Sequence, residues 1–226
     1  MSEPIQPSVG RGVVHLFCKA TPLFEGDGVV AAVRGAEAAG VQVVAVSTLG
    51  HKCDAAFMAM HEDWKQLRSL QSALQRAGLE VVDSYVSLTE VSEYAKGMPE
   101  EMLRGRLYPD IPPRAHHMPA WCFYPMSKRR AGHANWFTLP FEERKDLMHE
   151  HGTSGRKFAG RVVQYVTGST GLDDYEWGVT LFAVHPDDLK EVVYTMRFDQ
   201  ASSVYAEFGP FYTGMVVPVE ELVETL

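Results

Sequence analysis

The sequence predicts an α+β protein built from two successive β-α-β-β-α-β units, the ferredoxin-like order. Three observations lead there. The same succession of apolar strands and helices runs twice along the 226 residues. The helix expected over about 62–77 carries Trp64, Leu67, Leu70 and Leu74 at three-to-four spacing, so it has one apolar face to bury. A stretch without periodicity, holding Pro99, Pro109, Pro112 and Pro113, separates the two runs. Two sheets covered by helices on one face each keep a second face to bury, and packing against each other is the economical way to do it.

In the first unit an apolar strand, Val13 to Cys18, leads to an alanine-rich helix over about 27–39. Strands near Gln42 to Ser47 and Asp54 to Met60 follow, then the amphipathic helix, with Gly78 where a C′ glycine belongs. The alternating segment LEVVDSYVSL closes the unit. The segment from Val91 to Met118 reads as irregular. The expected division is therefore 1–98 as the N-terminal half, 99–118 as linker and 119–226 as the C-terminal half.

The second unit begins with a strand from Ala120 to Met126. A helix over Phe141 to His151 comes next, with Pro140 near its first turn and Gly152 at its end. Strands over about 160–168 and 176–184 are joined by a loop containing GSTGLDD. A helix after Pro186 and one last strand, FGPFYTGMVV, complete it.

Composition narrows the function. With 46% hydrophobic and 22% charged residues the chain has the make-up of a globular protein, which excludes disorder and fibres. A net charge of -8 argues against a phosphate-backbone partner, which calls for an excess of Lys and Arg. Cys18, Cys53 and Cys122 are odd in number and lack CxxC spacing, so neither a disulfide framework nor a zinc site is signalled. No signal-peptide pattern and no apolar run of membrane-spanning length is present, and a reducing cytoplasm is the expected setting.

The most informative stretch runs from Tyr124 to Gln164: YPMSKRR, NWF, a charged helix ending MHEHG, a GRxF turn and a strand with a lone glutamine. The triplet Lys128, Arg129, Arg130 reads by itself as a solvated loop. Together with Arg106, Arg156 and Arg197 at other element boundaries it offers forks and point charges for several carboxylates. His149 and His151 are expected in a last helical turn, where capping by a cationic imidazole is the plain explanation. A metal-ligating role requires facing a cavity, and of two residues spaced by two only one faces inward; His151 is that one. Tyr124, Met126 and Gln164 each have an ordinary reading as strand or core residues. In combination, a phenol, cations, an imidazole and an amide are the parts needed to hold an anionic metalloporphyrin and run redox chemistry on it.

The motifs RLYP, YPMSKRR, NWF, MxxHGxxGRxFxG, GSTGLDDYEWGVTLF, YTMRFDQAS and FGPFYTG resemble the chlorite dismutase superfamily and, within it, the coproheme decarboxylases of Firmicutes type. The resemblance covers most of the second half closely and the first half more loosely. It implies a dimeric α+β barrel of two ferredoxin-like halves, a homopentamer, and a porphyrin held by the C-terminal half. The implied activity is hydrogen-peroxide-dependent oxidative decarboxylation of iron coproporphyrin III, propionates 2 and 4 becoming vinyls, to give haem b. Coproheme is then substrate and redox centre at once, and ferrochelatase is an implied transient partner.

The resemblance puts the iron ligand on His151, the radical-forming tyrosine on Tyr124, a propionate-supporting lysine on Lys128, and distal-side residues on Met126 and Gln164. Further propionate contacts fall on Arg106, Arg197 and Ser202. A propionate is inert until a hydrogen atom leaves its β-carbon, so a positioned relay for the oxidising equivalent is required, and a tyrosine supplies one. Glutamine at position 164 replaces the arginine that holds an oxychlorine anion in chlorite dismutases, which disfavours that activity. A haem-binding carrier or sensor remains the alternative. Two departures stand out: Phe137 where NWY is usual, and an insertion, RAHHMPAW, whose His116 and His117 are candidates for a supplementary distal base, with a solvated loop pair as the plain reading.

Overall fold

The structure is a computed structural model that describes residues 3–95, 97–113 and 117–226. In chain order it contains β1 (Gly12–Ala20), α1 (Gly26–Ala38), β2 (Gln42–Thr48), β3 (Ala55–His61), α2 (Trp64–Arg76) and β4 (Leu79–Thr89). Then come α3 (Glu100–Leu107), β5 (Ala120–Lys128), a minute hairpin of β6 (Arg130–Ala131) and β7 (Ala134–Asn135), and α4 (Phe141–Arg156). The chain ends with β8 (Val162–Gly168), β9 (Trp177–Ala183), α5 (Pro186–Met196), α6 (Gln200–Ser203), β10 (Ala206–Phe208), β11 (Tyr212–Val216) and α7 (Val219–Val223).

The strands run β2-β3-β1-β4 in the first half and β11-β5-β9-β8 in the second, so both halves have one topology. β11 pairs with β2, and β4 with β8, all antiparallel. The second strand of each half thus meets the fourth strand of the other, and the sheet closes on itself. Both seams are short: Gly214 to Val216 against Val46 to Thr48, and Leu88 and Thr89 against Gly168 and Thr167.

Strand alternation sorts side chains to the two faces. Val13, Phe17, Met58, Trp121, Phe123 and Phe182 fill the space enclosed by the sheet. Leu16, Val29, Val33, Leu70, Leu74 and Leu222 pack between the first half and α1, α2 and α7. Each large apolar side chain removed from water this way contributes roughly 1.5–3 kcal/mol. His15 lies among the inner group, its ring centroid 4.2 Å from that of Phe123 and its Nε2 2.9 Å from Thr180 Oγ1; burial lowers its pKa to about 3 and keeps it neutral.

The first half follows the sequence reading. Asp63 caps α2 by accepting from the Lys65 N–H, and Gly78 takes φ 85° at the C′ position, a conformation that costs glycine little. The rest of the chain departs from it in several places. α4 runs five residues past His151, because Gly152 and Gly155 keep helical backbone and the first left-handed glycine is Gly160, at φ 82°. His151 is therefore inside the helix and the last-turn argument for it fails. The segment expected to be irregular contains α3, a short helix with no buried residue. The last strand is split: β10 pairs with Met126 to Lys128 and β11 with Ala120 to Phe123, leaving a gap opposite Tyr124 and Pro125. Pro125 and Pro210 have no N–H to give a ladder there, and the Gly209 N–H reaches the Pro125 carbonyl instead, at 2.8 Å.

Candidate functional site

A cavity of about 1120 Å³ lies between α4 and the outward face of β5, β9 and β8. It is somewhat larger than the roughly 300–1,000 Å³ of ordinary small-molecule sites. It exists because α4 stands off the sheet: none of its sixteen residues is buried. Tyr124, Met126, Lys128, Gln164, His151, Ser202 and Arg106, far apart in sequence, all line it. Arg197 does not; its guanidinium lies over the Phe208 ring, 4.6 Å from the centroid. His149, expected to face away, also borders the cavity, which is open to solvent along the flank of α4.

His151 is anchored from α6. Its Nδ1 lies 3.0 Å from Asp199 Oδ2 and 3.3 Å from Ser202 Oγ. Asp199 is the N-cap of α6 and its other oxygen accepts from the Ser202 N–H, 2.9 Å away. Burial would raise the Asp199 pKa, but the hydrogen bond and charge of His151 and the Ser202 N–H and hydroxyl outweigh it and hold the carboxyl below its ordinary value. An ionised carboxylate only accepts, so Nδ1 carries a hydrogen, and Nε2 is the nitrogen left to offer a lone pair to a metal. Among the described residues Nε2 has no hydrogen bond. A ring fixed by a carboxylate on one nitrogen and free on the other is the arrangement of metal-bound histidines.

Lys128 is the next fixed group. It is 7% exposed, its Nζ donates to the Ala201 carbonyl at 2.6 Å and lies 4.3 Å from the Trp136 ring centroid, and its backbone N–H donates to Glu176 at 2.7 Å. Burial lowers its pKa to about 8, with Asp199 and Glu176 opposing. Its neighbours in the triplet turn elsewhere: Arg129 lies 3.5 Å from Glu207 and Arg130 4.0 Å from Glu176. One cation of the basic string serves the cavity, and two serve the surface.

Tyr124 is buried, stacked on Phe211 with centroids 4.5 Å apart and tilted against Phe208 at 5.6 Å. Both phenylalanines flank the gap in the last strand. Burial and the Cys122 thiol push the phenol pKa up and Arg197 opposes, so the phenol stays protonated. Its hydroxyl has no hydrogen bond among the described residues. Gln164 sits on β8 with Val162 and Val166, the outward positions of that strand, and is exposed to the cavity. Trp177, its indole N–H donating to Glu90 at 3.0 Å, closes one end. His117 is exposed and not among the lining residues, Phe137 borders the cavity with 49% of its surface exposed, and His116 lies outside the described residues.

Sequence reading missed Asp199. The pattern Asp199-Gln-Ala-Ser202 announces a capped turn, but its pairing with a histidine 48 residues away leaves no local trace. The donor set suits an iron porphyrin: one free imidazole nitrogen, a buried cation for a carboxylate, and apolar walls for a macrocycle.

Residues 24–217 match the chlorite dismutase family. The chain belongs to that family. A coproheme decarboxylase from Staphylococcus carnosus is 44% identical to it over 188 residues, covering 78% of this chain and 73% of that protein. A solved structure described as a novel heme-binding protein from Thermus thermophilus is 34% identical with a TM-score of 0.84, over 99% of this chain and 98% of that one. A chlorite dismutase variant from Candidatus Nitrospira defluvii reaches a TM-score of 0.76 at 19% identity over 96% of this chain and 95% of its own, a likeness of fold. No helix among the described residues is long and apolar enough to cross a membrane.

Proposed function

We propose that this chain is a coproheme decarboxylase that converts iron coproporphyrin III to haem b with hydrogen peroxide. The observation that carries the reading is the convergence of an anchored imidazole, a buried lysine and a protonated, unbonded phenol on one cavity of about 1120 Å³. The identity to the Staphylococcus carnosus enzyme supports it. Each step balances as propionate, peroxide and one proton giving vinyl, carbon dioxide and two waters. When bound, the iron porphyrin supplies the two-electron reduction of peroxide.

The protein's own residues have distinct tasks. His151 would hold iron through Nε2, and Asp199, by accepting the Nδ1 hydrogen, orients the ring so that Nε2 faces the cavity. Lys128 would hold a reacting propionate: its ammonium is desolvated, so a carboxylate brought beside it gains more than at the surface. Once that carboxylate leaves as carbon dioxide the pairing is gone, and the apolar wall around Met126 suits the vinyl left behind. Tyr124 would give up a hydrogen atom and recover one from the propionate β-carbon. Gln164 provides an uncharged amide on β8. Arg106 and Ser202 would contact the carboxylates that persist, and Arg197 would act on Tyr124 through its charge. A homopentamer, a cytoplasmic setting and transient contact with ferrochelatase belong to the same reading and rest on family resemblance.

A haem carrier is the second reading, favoured by the likeness to the heme-binding protein of Thermus thermophilus. The test is to load the protein with iron coproporphyrin III, add peroxide stepwise and follow mass. Loss of two carboxyl groups supports the enzyme. Tight binding with no mass loss supports the carrier and overturns it.

A further inference from the structure

Five of the chain's ten methionines, Met60, Met98, Met126, Met148 and Met196, line the cavity. Three of them reach it from three elements, α4, α5 and β5. Met148 is on α4 three residues before His151, which puts both on one helix face. Met196 ends α5, with its methyl 3.7 Å from where a Cβ on Gly155 would lie. Met126 follows Tyr124 by two on β5, the same face of the strand. All three are half-buried, whereas Met102 and Met215 are 52% and 43% exposed.

Methionine is a flexible gap-filler, and that alone accounts for one or two in an apolar wall. The surroundings here ask for more. The aromatic side chains lining the cavity, Tyr94, Tyr124, Trp136, Tyr165 and Trp177, lose single electrons, and where no hydrogen atom is returned, as it would be to Tyr124, the damage is irreversible. A thioether instead takes one oxygen atom, and a reductase can take it off again. Resting on the peroxide-dependent reading above, we propose that Met148 and Met196, which line the same cavity as Met126, are a reversible oxidation site that intercepts peroxide not consumed on the propionates. In the step a sulfur lone pair attacks one peroxide oxygen and the O–O bond breaks. The sulfur gains that oxygen and is oxidised by two electrons, and the other oxygen leaves as water. Sulfoxide makes this wall polar, so the modification also weakens the site's grip on an apolar ring face until it is reversed.

The test compares coproheme-loaded and apo protein, each given peroxide in steps and mapped by peptide mass spectrometry, with porphyrin mass read on the same samples. The expected result is that loaded protein gains oxygen on Met148 and Met196 at least several-fold faster than on Met102 and Met215, and that apo protein shows the reverse order. Faster oxidation of Met102 and Met215 in both states overturns the proposal. The porphyrin mass reports separately on decarboxylation, so a failure there is distinguishable. A Met148→Leu/Met196→Leu variant keeps volume nearly constant. It is expected to bleach its porphyrin after several-fold fewer equivalents of peroxide, and an unchanged tolerance likewise overturns the proposal.

Discussion

The two halves share one strand order and differ in how their first helix meets the sheet. α1 buries Val29, Val33 and Ala36 against the first half, together with the Leu67, Leu70 and Leu74 row of α2. α4, in the equivalent position of the second half, buries nothing and spans a cavity of about 1120 Å³. The sequences say why. α1 is written with valine and alanine, whereas α4, FEERKDLMHEHGTSGR, offers few apolar residues. One topology thus supplies a packed helix–sheet layer in one half and a cavity between helix and sheet in the other.

The contrast is broken most directly by separating chemistry from stability. His151→Ala is expected to lower decarboxylation by more than the roughly 10–100-fold that loss of an outer-sphere partner costs, with a thermal midpoint near that of the unaltered protein. Tyr124→Phe is expected to bind coproheme and leave both carboxyl groups in place, measured by mass. Leu74→Ala in the packed half should do the opposite. It removes a fully buried side chain and is expected to cost about 2–5 kcal/mol in denaturant titration, while Met148→Ala in α4 stays within about 1 kcal/mol.

Lys128 is a buried charge in the open half. Its folded pKa, about 8, is below its ordinary value, so between the two the unfolded chain binds more protons. Stability therefore rises as pH climbs from about 8 toward 10, by up to roughly 3 kcal/mol, and Lys128→Met should flatten that slope. Coproheme affinity should move the other way and fall above about pH 8, where a propionate no longer finds an ammonium without proton uptake. The smallest effect belongs to His117. It is exposed and away from the cavity wall, so His117→Ala is expected to leave the peroxide-dependent rate unchanged.

Legibility in the sequence tracks the same division. In the packed half, periodicity and caps act locally: the leucine row of α2, Asp63 before it and Gly78 after it can all be read along the chain. In the open half, local signals compete with distant ones. Gly152 reads as a stop and stays helical, and the last strand reads as continuous until Pro125 on its neighbour removes the ladder partner. The motifs around Tyr124, Lys128 and His151 pointed to a site, but not to Asp199, which orients the imidazole from another helix, nor to the outward pairing of Arg129 and Arg130 with glutamates.

The way the sheet closes has its own consequence. The edges joined at both seams are the second strand of one half and the fourth strand of the other. Two copies of a single such unit would satisfy each other's edges in the same manner, so tandem fusion of one ancestral gene needs no new interface to produce this shape. After fusion the copies are free to drift apart, one retaining its hydrophobic filling and the other surrendering it to a guest molecule.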